Sequence, residues 1–274
     1  IIIPNKLGRG LGKLTIIGIG PGNKNWCTPA AWESVVAASD LVGYRAYLDL
    51  VESLGVTSTK TARHDFELGQ EEERVCKALN LAADGRDVVL ISSGDSGIFG
   101  MASLTFEMLD RQAHERWRGV EINIEPGVSA MNAAAARAGA PLGHDFCAIS
   151  LSDLMTPWSV IEKRLQAAAT TDFVIAIYNP AARKRRDGII KAMKIISAER
   201  SSGCPVVIAK NIGRKGEVVA LTVIEEFDPN MVDMLTVILI GNKETRLIDT
   251  GDGRRVYTPR GYGVISQNNR REKL

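Results

Sequence analysis

The feature that most constrains the fold is a short apolar run followed directly by a glycine-rich segment. The run Val88-Val89-Leu90-Ile91 carries no polar side chain, which is typical of a strand buried on both faces of a parallel sheet. Residues 92–102, Ser-Ser-Gly-Asp-Ser-Gly-Ile-Phe-Gly-Met-Ala, lead from it into a predicted helix near Leu104. Glycine lets a backbone approach a ligand closely, and open α/β sheets bind ligands at the carboxyl ends of their strands. The sequence therefore predicts a ligand site at this junction, with Asp95 as its carboxylate.

Similar apolar strands alternate with helical stretches along most of the 274 residues, which predicts an α/β fold. Thr28-Pro29 predicts a helix start, with threonine as the N-cap and proline at the first helical position. We expect an N-terminal α/β subdomain over 12–127, a C-terminal α/β subdomain over 128–250 and a tail over 251–274. Strands are predicted at 14–19, 41–44, 88–91, 120–124, 146–151, 173–178, 205–210, 217–221 and 234–240, with helices near 28–38, 69–83, 104–109, 130–136, 158–169 and 184–199.

The composition argues against several classes of protein. A net charge of +2 and an aromatic content of 5% give no basis for a nucleic-acid surface. No apolar stretch is long enough to span a membrane, and the start of the chain does not resemble a signal peptide. The four cysteines and three histidines are dispersed, which predicts reduced thiols, a cytoplasmic location and no metal site. Because the sequence begins with Ile1 rather than methionine, further residues at this end are an open expectation.

A second glycine-rich loop, Gly18-Ile19-Gly20-Pro21-Gly22, follows the first predicted strand. Taken alone, it suggests a dinucleotide-binding loop or a tight turn between a strand and a helix. A nicotinamide enzyme would also need an acidic residue at the end of the second strand. Asp40 precedes that strand instead, and Tyr44-Arg45 ends it, so the sequence favours another ligand.

Basic and phenolic side chains follow other predicted strands. Tyr44, Arg45 and Tyr47 are either half-buried packing residues or partners of a ligand carboxylate, which arginine binds with two parallel hydrogen bonds. Basic residues occupy 183–186 after Tyr178-Asn179-Pro180, at a predicted helix start where the helix dipole favours acids. A further cluster contains Lys210, Arg214 and Lys215. These clusters are either solvated faces or, together, the sign of an acidic small molecule.

Four motifs in series carry a resemblance to a known family. They are Gly18-Ile19-Gly20-Pro21-Gly22, Ser93-Gly94-Asp95, Pro126-Gly127-Val128-Ser129-Ala130 and Tyr178-Asn179-Pro180. In this order and at these separations they resemble the tetrapyrrole methylases, the class III S-adenosylmethionine-dependent methyltransferases, over about residues 13–245. Segments 42–48, 97–102 and 211–217 are most similar to the members that methylate precorrins in cobalamin biosynthesis.

The resemblance implies two α/β domains with S-adenosyl-L-methionine bound in the cleft between them and S-adenosyl-L-homocysteine as a product. It implies a homodimer and an anionic precorrin substrate, methylated at carbon 17 with contraction of the ring. The position after Asp95 is often proline in the family and is Ser96 here. Carried over residue by residue, the cofactor contacts are Pro21, Ser93, Gly94, Asp95, Ile98, Ser129, Ala130, Asn179 and Ile212, and the expected partners of the substrate carboxylates are Arg45, Arg183, Arg185 and Arg214.

Ring contraction requires a hydroxyl group to lose its proton, and a general base contributes about 10²–10⁴-fold to such a step. The candidates for this base are Asp95, Tyr44, Tyr47 and His64, and we assign the catalytic roles to Asp95, Tyr44 and Arg45. The alternatives are methylation of another tetrapyrrole carbon, including that of a cobalt-containing substrate, methylation of RNA or of a modified histidine in a protein, a nicotinamide oxidoreductase, and a sensor that binds the cofactor without turnover.

Overall fold

A computed structural model describes residues 12–55, 61–112, 114–181 and 186–262. The chain divides into two compact units, residues 1–130 and 131–274. None of the described helices is long and apolar enough to cross a membrane.

The first unit contains a five-stranded sheet in which every neighbouring pair of strands is parallel. The strand order is β3-β2-β4-β1-β5, so the two strands with glycine-rich loops after them, β1 and β4, are neighbours. The elements are β1 (Lys13–Gly18), α1 (Pro29–Ala37), β2 (Asp40–Tyr44), α2 (Arg45–Ser53), β3 (Ala62–Phe66), α3 (Glu71–Ala83), β4 (Asp87–Ser92), α4 (Met101–Gln112) and β5 (Glu121–Glu125), and α5 (Ala130–Ala138) begins at the last residue of this unit.

The central strands β1 and β4 are buried on both faces. Leu14 and Leu90 belong to the apolar cluster that includes side chains of α3 and α4, whereas Ile17 and Ile91 belong to the cluster that includes side chains of α1 and α2. Burying side chains of this size stabilises a fold by about 1.5–3 kcal/mol each. The prediction of a parallel α/β unit from the apolar run at 88–91 is therefore confirmed.

The start of α1 is as predicted. The Thr28 hydroxyl accepts a hydrogen bond from the Ala31 amide at 3.2 Å, and Pro29 is the first helical residue. Two elements of this unit were not predicted. Helix α2 occupies a stretch interpreted as the end of a strand, and Tyr44 makes no side-chain hydrogen bond that would cap it. Strand β3 has the polar sequence Ala-Arg-His-Asp-Phe and lies at an edge of the sheet.

The second unit contains a mixed sheet of order β10-β9-β11-β8-β7, in which β7 and β8 are parallel and the other pairs are antiparallel. Side chains of α6 and α7 pack with these strands in one apolar cluster. A smaller sheet has the order β12-β13-β6, and β13 lies in the segment predicted as a tail. The elements are β6 (Gly139–Ala140), β7 (Phe146–Ser150), α6 (Trp158–Thr170), β8 (Val174–Tyr178), α7 (Asp187–Ser197), β9 (Pro205–Lys210), β10 (Val218–Val223), β11 (Thr236–Ile240), β12 (Arg246–Thr250) and β13 (Gly253–Tyr257).

Candidate active site

In the first unit, the loops that follow β1, β4 and β5 pack backbone against backbone. The Gly20 amide donates to the Gly94 carbonyl at 3.0 Å, and the Gly94 amide donates to the Gly20 carbonyl at 2.8 Å. A Cβ atom on Gly18 would lie 2.4 Å from the Gly94 oxygen, and one on Gly127 would lie 2.1 Å from the same oxygen. Contacts this short are not compatible with any side chain. Three motifs that are distant in the sequence therefore meet at the carboxyl edge of the sheet.

The carboxylate of Asp95 joins two of these loops. Its Oδ1 accepts a hydrogen bond from the Gly97 amide at 2.8 Å, and its Oδ2 accepts one from the Gly127 amide at 2.9 Å. Hydrogen bonds of this kind to an ionised carboxylate are stronger than neutral ones. Asp95 is thus a positioning residue for the loops after β4 and β5. Its predicted direct contact with a cofactor stays a prediction.

The predicted cofactor residues of the first unit lie around this junction. A Cβ atom on Gly94 would be 3.6 Å from the Ala130 nitrogen and 3.8 Å from the Ser129 Cα, so the second and third motifs are direct neighbours. Ser129 and Pro21 are buried, whereas Ser93 and Ile98 are half-buried. The following residue, Phe99, is an exposed aromatic side chain with a positive φ of 53°.

Ser96, which stands where the family often has proline, is fully buried, and within the described ranges its hydroxyl has no hydrogen-bond partner. An unpaired hydroxyl of this kind costs about 1–3 kcal/mol of stability.

The predicted substrate residues of the first unit lie at the end of β2 and the start of α2. The rings of Tyr44 and Tyr47 meet edge to face, with centroids 5.2 Å apart. Arg45 begins α2, and its Nε lies 3.0 Å from a carboxylate oxygen of Glu67, with both side chains more than half exposed. An exposed ion pair contributes about 0–1 kcal/mol, so this pairing is readily exchanged for a ligand carboxylate.

Two residues considered for other roles are engaged in a buried ion-pair network. Asp40 is fully buried, and its carboxylate lies 2.7 Å from both His64 Nε2 and Arg86 Nε. Asp40 is the first residue of β2 and Tyr44 its last. His64 is therefore paired toward the amino end of β2, and Asp40 is not available to bind a ribose at the carboxyl end. These contacts favour neither a base role for His64 nor a nicotinamide site.

In the second unit, the predicted cofactor residue Asn179 directly follows β8, and the predicted cofactor residue Ile212 lies in the loop that follows β9. Asn179 has a φ of 50°, and its side-chain nitrogen Nδ2 donates to the Ser150 hydroxyl at 2.9 Å. Ile212 is buried in the loop after β9. That loop is held by Glu217, whose carboxylate accepts from the Gly213 amide at 2.7 Å and pairs with Arg137. Sequence analysis did not identify Ser150 or Glu217 as supporting residues.

The basic clusters of the second unit are only partly described. Arg183 and Arg185 lie outside the described residues. Arg214 is half-buried in the loop after β9, and Lys210 pairs with Asp233 at 2.5 Å. Hydrogen bonds from Lys210, Leu235 and Thr236 outweigh the effect of burial and lower the pKa of Asp233. The positive charge of Lys210 is therefore paired within the unit. Of the three arginines predicted here to bind substrate, Arg214 is the described one, and its role stays a prediction.

Sequence analysis also missed Arg74, a buried arginine on α3. The signal was present, because Arg74, Ala78 and Leu81 are spaced as one face of a helix and all three are buried. An arginine in an apolar stripe is unusual and calls for a partner.

Comparison with known proteins links this geometry to one family. The model of the family Tetrapyrrole (Corrin/Porphyrin) Methylases matches residues 13–228. The chain is 42% identical over 257 residues to a precorrin-3B C(17)-methyltransferase of a Sinorhizobium species, covering 93% of this chain and 99% of the relative. It is 44% identical over 251 residues to a probable cobalt-factor III C(17)-methyltransferase of Salmonella typhimurium, covering 91% and 99%. Among solved structures, the crystal structure of the methyltransferase CobJ is similar with a TM-score of 0.83 and 40% identity, covering 90% of this chain and 100% of that one.

Proposed function

This chain belongs to the tetrapyrrole methylase family, and from that premise we propose that it transfers a methyl group from S-adenosyl-L-methionine to carbon 17 of precorrin-3B, with contraction of the ring to give precorrin-4. The observation that carries the proposal is the similarity, over nearly the whole length of both chains, to two relatives that are both named C(17)-methyltransferases. The cobalt-containing substrate, cobalt-factor III, is the second candidate, because one of those two relatives is named for it.

The residues at the carboxyl edges of the sheets fit the chemical groups of the proposed cofactor. Ser93, Ser129 and Asn179 offer hydroxyl and amide groups for its amino-acid and ribose parts. Ile98, which is half-buried in the loop after β4, offers apolar surface for its adenine ring. When bound, the cofactor supplies an electrophilic methyl group on a positively charged sulfur, which needs no metal. In the parts of the chain that the structure describes, no group of three His, Cys, Asp or Glu side chains is placed to hold a metal ion.

The contribution of the protein to methyl transfer is then mainly positioning. The reacting carbon has to lie about 3–3.5 Å from the methyl group for the displacement to proceed. Gly18, Gly94 and Gly127 pack so closely that a Cβ atom on Gly18 or Gly127 would lie 2.4 Å or 2.1 Å from the Gly94 oxygen. Asp95 reinforces this arrangement through its two backbone hydrogen bonds. We infer that these four residues keep the donor site in one geometry while the substrate binds.

For the ring contraction, the contacts favour the tyrosine pair as the source of the base. Both oxygens of Asp95 already accept backbone hydrogen bonds, and His64 is paired with the buried Asp40. Tyr44 lies at the carboxyl end of β2 with Tyr47 against it. We therefore propose that Tyr44, in its deprotonated form, accepts the proton that the ring hydroxyl loses, and that Arg45 binds a carboxylate of the substrate. The homodimer implied by the sequence resemblance and the cytoplasmic location predicted from the dispersed cysteines both stay predictions.

The test is incubation of the purified chain with labelled S-adenosyl-L-methionine and precorrin-3B or, in parallel, cobalt-factor III. The expected result is the mass gain of one methyl group, with an absorbance change that reports ring contraction for the preferred substrate. Tyr44→Phe should retain cofactor binding and lose ring contraction, whereas Tyr257→Phe, on β13 of the second unit, serves as the matched control. The absence of methyl gain with either authentic substrate would contradict the proposal.

A further inference from the structure

Arg74 is buried without the partners that a buried guanidinium needs. The residue is 3% exposed, and among the described residues its Nε has no hydrogen-bond partner. Its Nη1 reaches the sulfur of Met101 at 3.7 Å, and its Nη2 donates to the Glu67 carbonyl at 3.2 Å. No carboxylate pairs with it within the described ranges. A buried charge without a directly paired anion is costly.

Arg200 of the second unit shows what a structural buried arginine looks like in the same chain. Its side chain is fully buried, and Nε, Nη1 and Nη2 donate to the carbonyl oxygens of Gly241, Ala169 and Phe173. Asp172 pairs with its Nη1 at 3.1 Å. Arg200 is thus satisfied by the protein alone, whereas Arg74 is not.

The surroundings of Arg74 place it next to the predicted substrate residues. It directly follows Glu71, Glu72 and Glu73, the acidic residues of the first turn of α3, where the helix dipole favours negative charge. Burial lowers the pKa of its guanidinium, while Glu71 and the hydroxyls of Tyr47 and Tyr44 act in the opposite direction. Tyr44, Tyr47 and Glu71 are half-buried, so these neighbouring groups still reach solvent. Met101, beside Nη1, begins α4 directly after the glycine-rich loop of β4.

We propose that Arg74 binds one carboxylate arm of the tetrapyrrole substrate, together with the hydroxyl group of Tyr47. The inference rests on the proposed function in one respect, because it takes the ligand to be a polycarboxylic tetrapyrrole. A guanidinium binds a carboxylate side-on through Nε and Nη2; here Nε is unpaired, and Nη2, which has two hydrogens, donates to the Glu67 carbonyl. A ligand carboxylate at this position pairs with the buried charge of Arg74, which no carboxylate of the described residues does.

Uroporphyrin III, a stable polycarboxylic tetrapyrrole, is the probe for this site. Its Kd is measured by absorbance titration for the wild-type chain and for Arg74→Met, Arg74→Lys and Arg111→Met. Arg74→Met should raise this Kd about 10- to 100-fold, which is the range for losing a hydrogen-bonded charge pair. Arg74→Lys should raise it less, because lysine keeps the charge without the planar fork. Arg111→Met removes an exposed, ion-paired arginine of the same unit and should leave the Kd within about twofold of wild type.

Thermal unfolding separates ligand binding from a structural role. Arg74→Met should melt at or above the wild-type temperature, because it removes an unpaired buried charge, whereas Arg200→Met should melt well below it. The proposal is wrong if Arg74→Met binds uroporphyrin III as the wild type does, if the wild type does not bind it, or if Arg74→Met folds but melts as far below the wild type as Arg200→Met does. If Arg74→Met fails to fold, the Kd of the folded Arg74→Lys variant decides in its place.

The methyl-transfer assay keeps the two hypotheses apart. If the wild type methylates neither tetrapyrrole while its porphyrin affinity depends on Arg74, the proposed function fails and the carboxylate site stands. If the wild type methylates precorrin-3B and Arg74→Met does so with an unchanged KM, the carboxylate site fails and the function stands. The Kd for S-adenosyl-L-methionine should be the same in the wild type and Arg74→Met.

Discussion

Replacing Asp95 by alanine tests whether this carboxylate positions the loops of the first unit. The change removes the acceptors of two hydrogen bonds, from Gly97 at 2.8 Å and from Gly127 at 2.9 Å. Bonds to a charged acceptor contribute about 1.5–3 kcal/mol when buried, and because Asp95 is half-buried we take about 1 kcal/mol for each. The expected loss is about 2 kcal/mol, which corresponds to a fall in Tm of about 4–8 °C.

Asp95→Asn is the matched variant. The asparagine side-chain oxygen still accepts from the Gly97 amide, whereas its NH₂ group cannot accept from the Gly127 amide. We expect about half the loss of Asp95→Ala, measured as Tm by differential scanning calorimetry. Calorimetric titration with S-adenosyl-L-methionine is run on the same samples. An unchanged Tm in both variants, with cofactor binding abolished, would refute the positioning role and assign Asp95 to cofactor contact alone.

The remaining predictions concern a buried hydroxyl, a close contact between two glycines and a buried thiol. Ser96→Ala should raise the stability of the chain by about 1 kcal/mol in chemical denaturation, because it removes a buried hydroxyl without a partner, and a loss of stability would show that the hydroxyl is paired. Gly127→Ala should cost about 3 kcal/mol or more, because its Cβ would lie 2.1 Å from the Gly94 oxygen. Gly203→Ala, whose Cβ would meet nothing within 4 Å, is its control, and equal stabilities would contradict the contact argument. Burial raises the pKa of the Cys204 thiol from 9.0 to about 11. The thiol therefore stays protonated in the native state while the unfolded thiol ionises, so its contribution to stability is present below pH 9 and is lost between pH 9 and about 11. Native Cys204 should resist iodoacetamide at pH 8, and rapid alkylation there would contradict this.

The strands and helices that were predicted correctly are those whose signal is local. The apolar run at 88–91 forms the buried centre of β4, and Thr28-Pro29 begins α1 through one hydrogen bond between neighbouring residues. Strand β3 was missed because its stability comes from other parts of the chain. Arg63 pairs with Asp49 and Glu52 of α2, and His64 pairs with Asp40 of β2. A polar edge strand of this kind has no hydrophobic pattern that could be detected in the sequence.

The candidate site was predictable as a set of motifs and not as an arrangement. The glycines at 18, 94 and 127 were each identified, but their mutual contacts depend on β1 lying between β4 and β5. That strand order is a property of the whole sheet and cannot be inferred from any one loop. The same limit applies to Asp95, whose second partner, Gly127, is 32 residues away. Arg74 was overlooked for a different reason. Its spacing along one face of a helix was visible in the sequence, but its unpaired Nε is seen only in the structure.

The backbone conformations of three loops argue that they are shaped for a ligand rather than for stability. Of the four described residues other than glycine with a positive φ, Asp172 (65°) lies in the turn after α6 and pairs with Arg200, whereas Phe99, Asn179 and Asn211 (53°, 50° and 51°) lie in other loops. They follow β4, β8 and β9, at the carboxyl ends where a ligand is expected. Such conformations cost about 1–3 kcal/mol for a residue with a bulky side chain, and asparagine tolerates them better than phenylalanine does. Phe99 gains no burial in return, since its side chain is 56% exposed. If the proposed function holds, the exposed ring of Phe99 lies in a loop where an aromatic side chain is able to contact the substrate, and this contact stays a prediction.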